Sequence, residues 1–489
     1  MVMKGRTVLA LLLMTMIASV LVTLTLADLF IMPGGKAGGA RASLSALADG
    51  AGEGGGLAKE EEKKLDAVMD LIETKFFREV DREGVVDGAI SGMLASLDDP
   101  YSVYMEGDTA EHFSQSIEGS FTGIGAEVTM EDGKVVIVSA IKGSPAERAG
   151  LLAKDVVVSV NGTPLAGLSL NEAVGKIRGP KGTKAKLQIV RGSAAQPIQL
   201  LVVRDDIDVE TVYAKLREDG VGVIEIRQFS LHTAERFKEE LAKLEKEGMK
   251  GLVLDVRNDP GGILPVVIEI SQHFVPKGKK IVQVEDREGN REETRSQGGG
   301  KPYPLAVLIN KGSASASEIL AGALQESAGA VLIGENSFGK GTVQVSYNKT
   351  LGDGSLVKMT IAKWLTPAGN WIHEKGIKPN IAVPPSPLYT VARLSMEKEL
   401  KQDMLGDQVK SLQTMLAGLG YKPGRTDGYF SAATVEAVGA FQQEHGLPAT
   451  GSVDRKTGEA IEKAVVKWLQ DDRNDVQLRK AIDEISRKI

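Results

Sequence analysis

The chain has 489 residues, of which 42% are hydrophobic and 25% are charged, and its formal net charge is −6. This length exceeds what one hydrophobic core ordinarily holds, so several domains are expected, and the composition is that of soluble globular protein. A small charge of mixed sign excludes the basic footprint of a nucleic-acid binder, and a sequence without cysteine excludes disulfides, thiolate metal sites and a cysteine nucleophile.

The first predicted element is an uncharged apolar stretch at residues 7–27, preceded by Lys4 and Arg6. A helix of this length spans roughly 30 Å, about one hydrocarbon core, and basic residues in front of it favour an inside N-terminus. A cleavable signal peptide is the competing interpretation. Residues 1–32 therefore predict a membrane anchor or signal segment. The protein is expected at a bacterial cell membrane as a single-pass protein with an extracytoplasmic body, or secreted after cleavage.

Four segments follow in chain order. Residues 33–56 are rich in Gly, Ala and Ser and predict a flexible spacer. Residues 57–115 have apolar residues at helical spacing and predict a helical arm, either a scaffold or a homodimer surface. Residues 116–206 predict short strands broken by glycine, and residues 207–390 predict alternating strands and helices. This β-α-β order indicates a sheet covered by helices, with loops at the strand ends available for a site.

Three segments are predicted beyond the β-α-β region. Residues 391–404 form a charged connector, residues 405–467 a small helical domain, and residues 468–489 a charged helical tail. The predicted fold class is therefore multidomain α/β, with a mixed α/β core, an α+β domain, a helical N-terminal arm and a small all-α C-terminal domain.

The strongest chemical signal is the segment LINKGSASASEILAGALQESAGAVLIGENSFGKGTVQ at residues 308–344. Ser315 stands where an apolar strand meets a helix, and the free N–H groups of a helix N-terminus can face a developing oxyanion. The Ala316 N–H is one candidate donor. Gly261 or Gly262, in the turn after another apolar strand, is the candidate for the second donor.

This segment resembles the carboxyl-terminal processing peptidases, also called tail-specific proteases, which are serine peptidases with a lysine base. The resemblance covers residues 60–390 and implies Ser315 as the nucleophile, Lys340 as the general base and Gln344 as a residue that orients the lysine. An ordinary lysine has a pKa of about 10.4, so the base requires burial in apolar surroundings, which Phe338 is placed to supply. No cofactor and no metal are expected.

A histidine triad is the rival mechanism. His232 and His273 fall within the predicted catalytic region, and Asp255 is available to orient one of them. Ser315 lacks the G-x-S-x-G elbow, however, and His373 lacks the second histidine of a zinc helix.

Two further stretches, FTGIGA at residues 121–126 and SPAERAGLLAKDVVVSVNG at residues 144–162, resemble a PDZ domain. In such a domain consecutive N–H groups hold a terminal carboxylate, and the peptide adds beside the next strand. The implied substrate-binding residues are Phe121, Thr122, Gly123, Ile124, Gly125 and Ala126. Arg178 is a further candidate, as a residue that couples peptide binding to the active site or as a solvated arginine at a helix end.

Residues 406–456 resemble the small three-helix peptidoglycan-binding domain of cell-wall enzymes, with a helical dimerisation or spacer unit as the alternative. The sequence thus predicts a serine endopeptidase that recognises unstructured protein C-termini through a PDZ domain and works by an acyl-enzyme mechanism. The alternative is a catalytically silent scaffold that presents PDZ and cell-wall-binding surfaces.

Overall fold

The computed structural model describes residues 56–489, except 132, 142, 153, 192–196, 348–350 and 396–397. The chain divides into two compact units, the first ending at Glu79 and the second running from Val80 to Ile489. The described part of the first unit contains helix α1 (Lys59–Lys75), none of whose residues is buried.

The predicted membrane segment, residues 7–27, and nearly all of the predicted spacer lie outside the described residues. In the part of the chain that the structure describes, no helix is long and apolar enough to cross a membrane. The longest of these helices, α1, has 17 residues and begins KEEEKK, whereas a span needs about 20 mostly apolar residues. For the described residues the predicted single-pass membrane localisation is therefore wrong.

The second unit begins with helix α2 (Arg82–Ala95), whose N-terminus is capped by Asp81. After the turn at residues 96–102 come strand β1 (Val103–Met105) and helix α3 (Gly107–Glu118). Strand β1 pairs antiparallel with residues 356–358. Part of the segment predicted as a helical arm is therefore a strand in a sheet built mainly from much later residues.

Residues 120–208 form a six-stranded antiparallel sheet and a separate two-stranded pair. The strands are β2 (Ser120–Gly123), β3 (Ala126–Glu131), β4 (Lys134–Ala140), β5 (Val156–Val160), β6 (Thr163–Pro164), β7 (Lys184–Val190), β8 (Ile198–Val203) and β9 (Asp205–Asp208), with helices α4 (Pro145–Arg148) and α5 (Leu170–Ile177). Strand β7 shows why these residues form a sheet with one buried face. Apolar and polar residues alternate in its sequence KAKLQIV, so Ala185, Leu187 and Ile189 are buried and the polar residues face outward.

The largest core surrounds a six-stranded sheet with the order β10-β11-β12-β15-β16-β19. These strands are β10 (Val212–Leu216), β11 (Val221–Ile226), β12 (Gly251–Asp255), β15 (Leu305–Ile309), β16 (Val331–Gly334) and β19 (Ile381–Ala382), and the helices between them are α6 (Thr233–Lys246), α7 (Leu264–Gln272) and α8 (Ala316–Ala328). From β11 onward the pairing is parallel. Because both faces are covered, β15 is buried at every residue.

A second sheet lies beside this core and contains β1. Its other strands are β13 (Lys280–Asp286), β14 (Arg291–Arg295), β17 (Thr342–Tyr347) and β18 (Leu356–Leu365). Strand β18 is central and pairs with β1, β13 and β17. The loop that precedes β17 therefore lies between the two sheets in sequence, and it carries Lys340.

The C-terminal helices form a separate small core and then return to the α/β sheet. They are α9 (Asp407–Gly418), α10 (Ala432–Glu444), α11 (Arg455–Leu469) and α12 (Val476–Ser486). Helices α9 to α11 bury Leu412, Val438 and Phe441 among themselves. Helix α12, predicted as a charged tail, instead packs its apolar face on the six-stranded sheet, and its Ile482 and Ile485 share a cluster with residues of β11, β12 and β15.

Candidate active site

Ser315 lies in the turn between β15 and α8 and is the residue before the helix. Its backbone has φ 53° and ψ −111°, a conformation that costs energy for any residue with a Cβ and that tends to occur at functional sites. The two neighbouring serines hold the turn, because Ser313 Oγ donates to Val256 O at 2.7 Å and Ser317 Oγ donates to Asp259 O at 2.9 Å. The strain at Ser315 is thus supported by bonds on both sides.

Lys340 lies in the loop between β16 and β17, where two glycines allow close approach of the backbone. A Cβ on Gly341 would lie 2.8 Å from His373 N, and one on Gly339 would lie 2.9 Å from Gly376 N. Trp364 Nε1 donates to Lys340 O at 2.9 Å. The FGKG motif is therefore required for packing against residues 371–376, as well as for the lysine it carries.

Glu318, which sequence reasoning did not select, joins the serine turn to the lysine loop. Its side chain is fully buried. Its Oε2 accepts from Ser315 N–H and from Lys340 N–H, both at 2.9 Å, and its Oε1 accepts from Ser337 Oγ–H at 2.6 Å and Gly339 N–H at 2.7 Å. A glutamate three residues after a helix-capping serine is a recognisable capping-box pattern, so a sequence signal for it existed.

The Lys340 ammonium lies in surroundings that favour its neutral form. Burial, with a contribution from the charge of Lys358, lowers the pKa of Lys340 to about 8, against the opposing charges of Asp99 and Glu318. Its Nζ lies 4.9 Å from the centre of the Tyr101 ring. Phe338, which was expected to cover the lysine, is instead 54% exposed.

The hydrogen bonds of the Gln344 side chain go to its own strand and to β18. Its Nε2 donates to Thr342 Oγ1 at 2.9 Å and to Thr360 Oγ1 at 3.1 Å. Among the described residues no hydrogen bond joins Gln344 to Lys340, and none joins Ser315 Oγ to Lys340 Nζ. Gln344 thus braces the adjoining strands in this arrangement, and an orienting contact with Lys340 remains a prediction.

The glycine turn after β12 lies directly against the serine turn. A Cβ on Gly261, which has φ 104°, would come within 2.9 Å of Ala316 N and Ser315 Cβ. The Gly261 N–H is already donated to Asp259 Oδ1 at 2.8 Å. In the described residues the N–H groups of Gly262 and Ala316 have no acceptor, so they are available to bind an oxygen of a ligand.

Asp259 is a second buried acid beside this turn. Burial raises the pKa of Asp259 to about 8, opposed by the Gly261 N–H and by Ser317. Within the part of the chain that the structure describes, its Oδ2 has no hydrogen-bond partner. Burial therefore favours the neutral form of this side chain.

The histidines of the rival triad have other surroundings. His273 packs against Phe237 with 6.0 Å between ring centres, and His373 accepts the Gly341 N–H at 3.3 Å and stacks on Trp371. In the described part of the chain no hydrogen bond connects either of them, or His232, to Ser315. No group of three or more His, Asp or Glu there is arranged to hold a metal ion.

Residues 121–126 comprise the end of β2, the connecting residues Ile124 and Gly125, and the first residue of β3. The Ser144 hydroxyl donates to Gly125 O at 2.8 Å, and Ala146 N donates to Ile124 O at 2.8 Å. The Ile124 and Gly125 N–H groups have no acceptor among the described residues. Gly125 has φ 75°, and a Cβ there would lie 2.3 Å from Ser144 Cβ, so this position requires glycine.

The other residues of the segment 121–126 belong to strands and have structural contacts. Phe121 and Gly123 pair with β9, Thr122 Oγ1 donates to Asp206 Oδ1 at 3.1 Å, and Ala126 pairs with β4. Arg178 follows α5, its guanidinium lies 5.1 Å from the centre of the Phe121 ring, and its Nη1 lies 3.3 Å from His112 Nδ1. Arg178 therefore connects this domain to α3.

An α/β core with a serine at the start of its central helix, beside an antiparallel domain with an open N–H loop, is the architecture of a serine protease carrying a PDZ domain. Residues 220–383 match peptidase family S41, residues 136–191 match a PDZ domain, and residues 406–461 match a peptidoglycan binding domain. Residues 40–109 match the N-terminal domain of the activating protease CtpB.

Two curated relatives from Bacillus subtilis are similar over most of their length. Carboxy-terminal processing protease CtpB is 46% identical over 86% of this chain and 88% of its own, and CtpA is 43% identical over 87% and 90%. Among solved structures, the photosystem II D1 C-terminal processing protease matches with 31% identity and a TM-score of 0.40, over 66% of this chain and 86% of its own.

The chain therefore belongs to the carboxy-terminal processing proteases of peptidase family S41, which are serine proteases. The predicted family, fold class and enzymatic activity are confirmed. The alternative of a catalytically silent scaffold is set aside.

Proposed function

We propose that Ser315 is the nucleophile and Lys340 the general base of an acyl-enzyme mechanism that cleaves proteins with accessible, poorly folded C-termini. The observation that carries the proposal is Glu318, because one buried carboxylate oxygen accepts the backbone N–H of both residues. The pKa of Lys340 is lowered to about 8, so near neutral pH a fraction of the lysine is neutral and able to accept a proton.

In this mechanism neutral Lys340 accepts the proton of Ser315 Oγ as the oxygen attacks the scissile carbonyl. The negative charge that develops on the carbonyl oxygen is met by the N–H groups of Gly262 and Ala316. The lysine then returns its proton to the leaving amine, which leaves the acyl group on Ser315. Water, deprotonated by Lys340, hydrolyses that ester. The mechanism requires substrate to bring Ser315 Oγ and Lys340 Nζ into hydrogen-bond contact.

The PDZ loop is proposed to hold the substrate's terminal carboxylate. The free N–H groups of Ile124 and Gly125 supply suitable donors, and the adjoining strand β3 offers an edge to an extended peptide. This division of labour separates recognition of the C-terminus from cleavage.

Arg178 is proposed to couple the two events. It contacts His112 on α3, and further along this helix Ser116 O accepts from Gln228 Nε2 at 3.0 Å. The next residue, Phe229, donates its N–H to Gly261 O at 3.1 Å. If this connection transmits peptide binding, Arg178→Ala loses stimulation by a C-terminal peptide, while Lys176→Ala, in the last turn of α5, keeps it. Equal stimulation of both variants would remove the idea.

The helical domain of α9 to α11 is proposed to bind peptidoglycan. Gln442 is buried and accepts Gly451 N–H at 2.9 Å, so the exposed turn containing Arg425 and Asp427 is the better candidate for a glycan contact. Sedimentation of the protein with purified cell wall, compared between the wild type and Asp427→Ala, tests this assignment.

The predicted division into domains is kept as a proposal with two changes. Strand β1 and helix α12 are assigned to the peptidase core, because they pair with or pack on its sheets.

A homodimer also stays a proposal, supported by the exposed apolar residues Leu65, Val68 and Leu71 on α1. Analytical ultracentrifugation of the wild type and Leu71→Glu tests it.

The experiment that tests the catalytic proposal is cleavage of an unstructured protein with an apolar C-terminus. We expect the wild type to cleave it and Ser315→Ala and Lys340→Ala to lose cleavage. Cleavage by Ser315→Ala at the wild-type rate would refute the proposed nucleophile.

A further inference from the structure

The start of helix α12 places two polar side chains against the catalytic side of the peptidase core. Asp475 Oδ1 and Oδ2 accept from Arg257 Nη1 at 3.0 Å and Nη2 at 2.6 Å, and Gln477 Oε1 accepts from Arg257 Nη1 at 2.9 Å. Arg257 also donates to Asp255, from Nε at 2.9 Å and from Nη2 at 2.6 Å. The guanidinium is thus held on one side by β12 and on the other by the end of the chain.

This cluster is shielded from water. The exposed fractions of the side chains are 15% for Arg257, 13% for Asp255 and 10% for Asp475. Although burial acts to raise it, the pKa of Asp475 is lowered, chiefly through its contact with Arg257. Fork-to-fork pairs of arginine and carboxylate fix direction as well as distance, so the cluster defines the position of Arg257 rather than merely neutralising it.

Arg257 opens the turn that carries the proposed oxyanion donor. The residue before it, Val256, has its carbonyl bound by Ser313 Oγ, and the residue after it, Asn258, receives a hydrogen bond at 2.8 Å from Asn310 Nδ2. The turn ends at Gly261 and Gly262, where a Cβ on Gly261 would touch the serine turn. A displacement of Arg257 therefore changes the start of a short segment whose end faces Ser315.

We propose that Asp475 and Gln477 are positioning residues of the peptidase, which act through Arg257 to fix the oxyanion turn beside Ser315. The inference rests on the proposed oxyanion role of that turn. It makes the last helix, which follows the peptidoglycan-binding-like domain in the chain, a part of the catalytic apparatus.

The test is Asp475→Asn in the full chain. Asn is as good a helix N-cap as Asp, so the substitution keeps the start of α12 and removes the charge that pairs with Arg257. We expect kcat for a fluorogenic unstructured peptide to fall by about 10- to 100-fold with KM little changed, because a misplaced oxyanion donor weakens binding of the transition state but not of the substrate. A purely structural role would lower the melting temperature and leave kcat of the folded enzyme unchanged.

Asp471→Asn is the matched control, since Asp471 lies in the same segment and pairs only with exposed Arg473 in the contacts described. Equal kcat for Asp475→Asn and Asp471→Asn would overturn the inference. Should Asp475→Asn fail to fold, Gln477→Leu decides, because it keeps both the ion pair and the cap. We expect a fall in its kcat of a few fold, and an unchanged kcat would overturn the inference.

Ser315→Ala separates this inference from the proposed function. If Ser315→Ala is inactive while Asp475→Asn is as active as its control, the inference alone fails. If Ser315→Ala cleaves as fast as the wild type, the proposed function fails, and the inference fails with it.

Discussion

Replacing Glu318 by glutamine tests whether one buried carboxylate organises the active site. The shape of the side chain stays the same, but its hydrogen-bonding capacity does not. The carboxylate accepts two donors on each oxygen, Ser337 and Gly339 on Oε1 and Ser315 and Lys340 on Oε2. A glutamine has one acceptor oxygen, so its NH2 group must face one of these two pairs.

The expected loss of stability follows from that count. A buried donor left without an acceptor costs roughly 1–3 kcal/mol, so two of them lower the free energy of unfolding by about 2–6 kcal/mol. The effect on catalysis has two parts of opposite sign. In the wild type the negative charge of Glu318 raises the pKa of Lys340, so the loss of that charge lowers this pKa. The loosened serine turn and lysine loop lower the maximal rate by about 10- to 100-fold.

Urea unfolding and the pH dependence of kcat/KM measure these parts separately. We expect Glu318→Gln to lose stability, to reach its maximal rate at lower pH than the wild type, and to have a lower maximum. The matched control is Glu326→Gln, a change on the same helix at an exposed contact with Ala368. If Glu318→Gln matches this control in stability and in maximal rate, Glu318 does not organise the site.

Two further changes test the electrostatics of the site. Lys358→Met removes a positive charge that lowers the pKa of Lys340, so the acid limb of the kcat/KM profile should move to higher pH. The control, Lys363→Met on the same strand, should leave this limb in place. An acid limb that does not move in Lys358→Met would contradict the assignment of Lys340 as the base. Asp259→Asn removes a buried acid whose pKa of about 8 lies above its ordinary 3.8. Because the folded state holds this proton more tightly than the unfolded state does, the free energy of unfolding of the wild type falls as pH rises from 4 to 8. We expect Asp259→Asn to be more stable than the wild type by up to about 4 kcal/mol at pH 7 and equally stable below pH 4. Urea unfolding at both pH values measures this difference, and a difference of equal size at both would contradict the raised pKa of Asp259.

The sequence was sufficient to predict the fold class, because that depends on local patterns, and local motifs also gave the candidate catalytic pair, which stays a prediction. Apolar runs such as β15 and alternating runs such as β7 reveal whether a strand is buried on two faces or one. The serine run and FGKG are contiguous motifs, and the structure places both beside a single buried carboxylate. The orienting contact of Gln344 stays a prediction, because it depends on a strand register, which a motif does not contain.

Other parts of the site arise from contacts between distant segments, and sequence patterns do not reveal such contacts. Tyr101 faces Lys340 only because β1 pairs with β18 across more than 250 residues of chain. The sequence of helix α12 is that of a charged amphipathic tail. Its composition does not indicate whether its apolar face packs on the helical domain that precedes it in the chain or on the sheet formed by much earlier residues. The localisation of the protein was predicted from residues 7–27, which lie outside the described residues.

The basicity of Lys340 depends on the same distant contacts. Asp99 and Glu318 act to raise the pKa of Lys340, while burial and Lys358 lower it. The two acids come from segments more than 200 residues apart in the chain, and Lys358 comes from a third, so a small shift of any one of these segments changes the fraction of neutral base. Movement of backbone segments can therefore change the pKa of Lys340 without placing a new residue beside it.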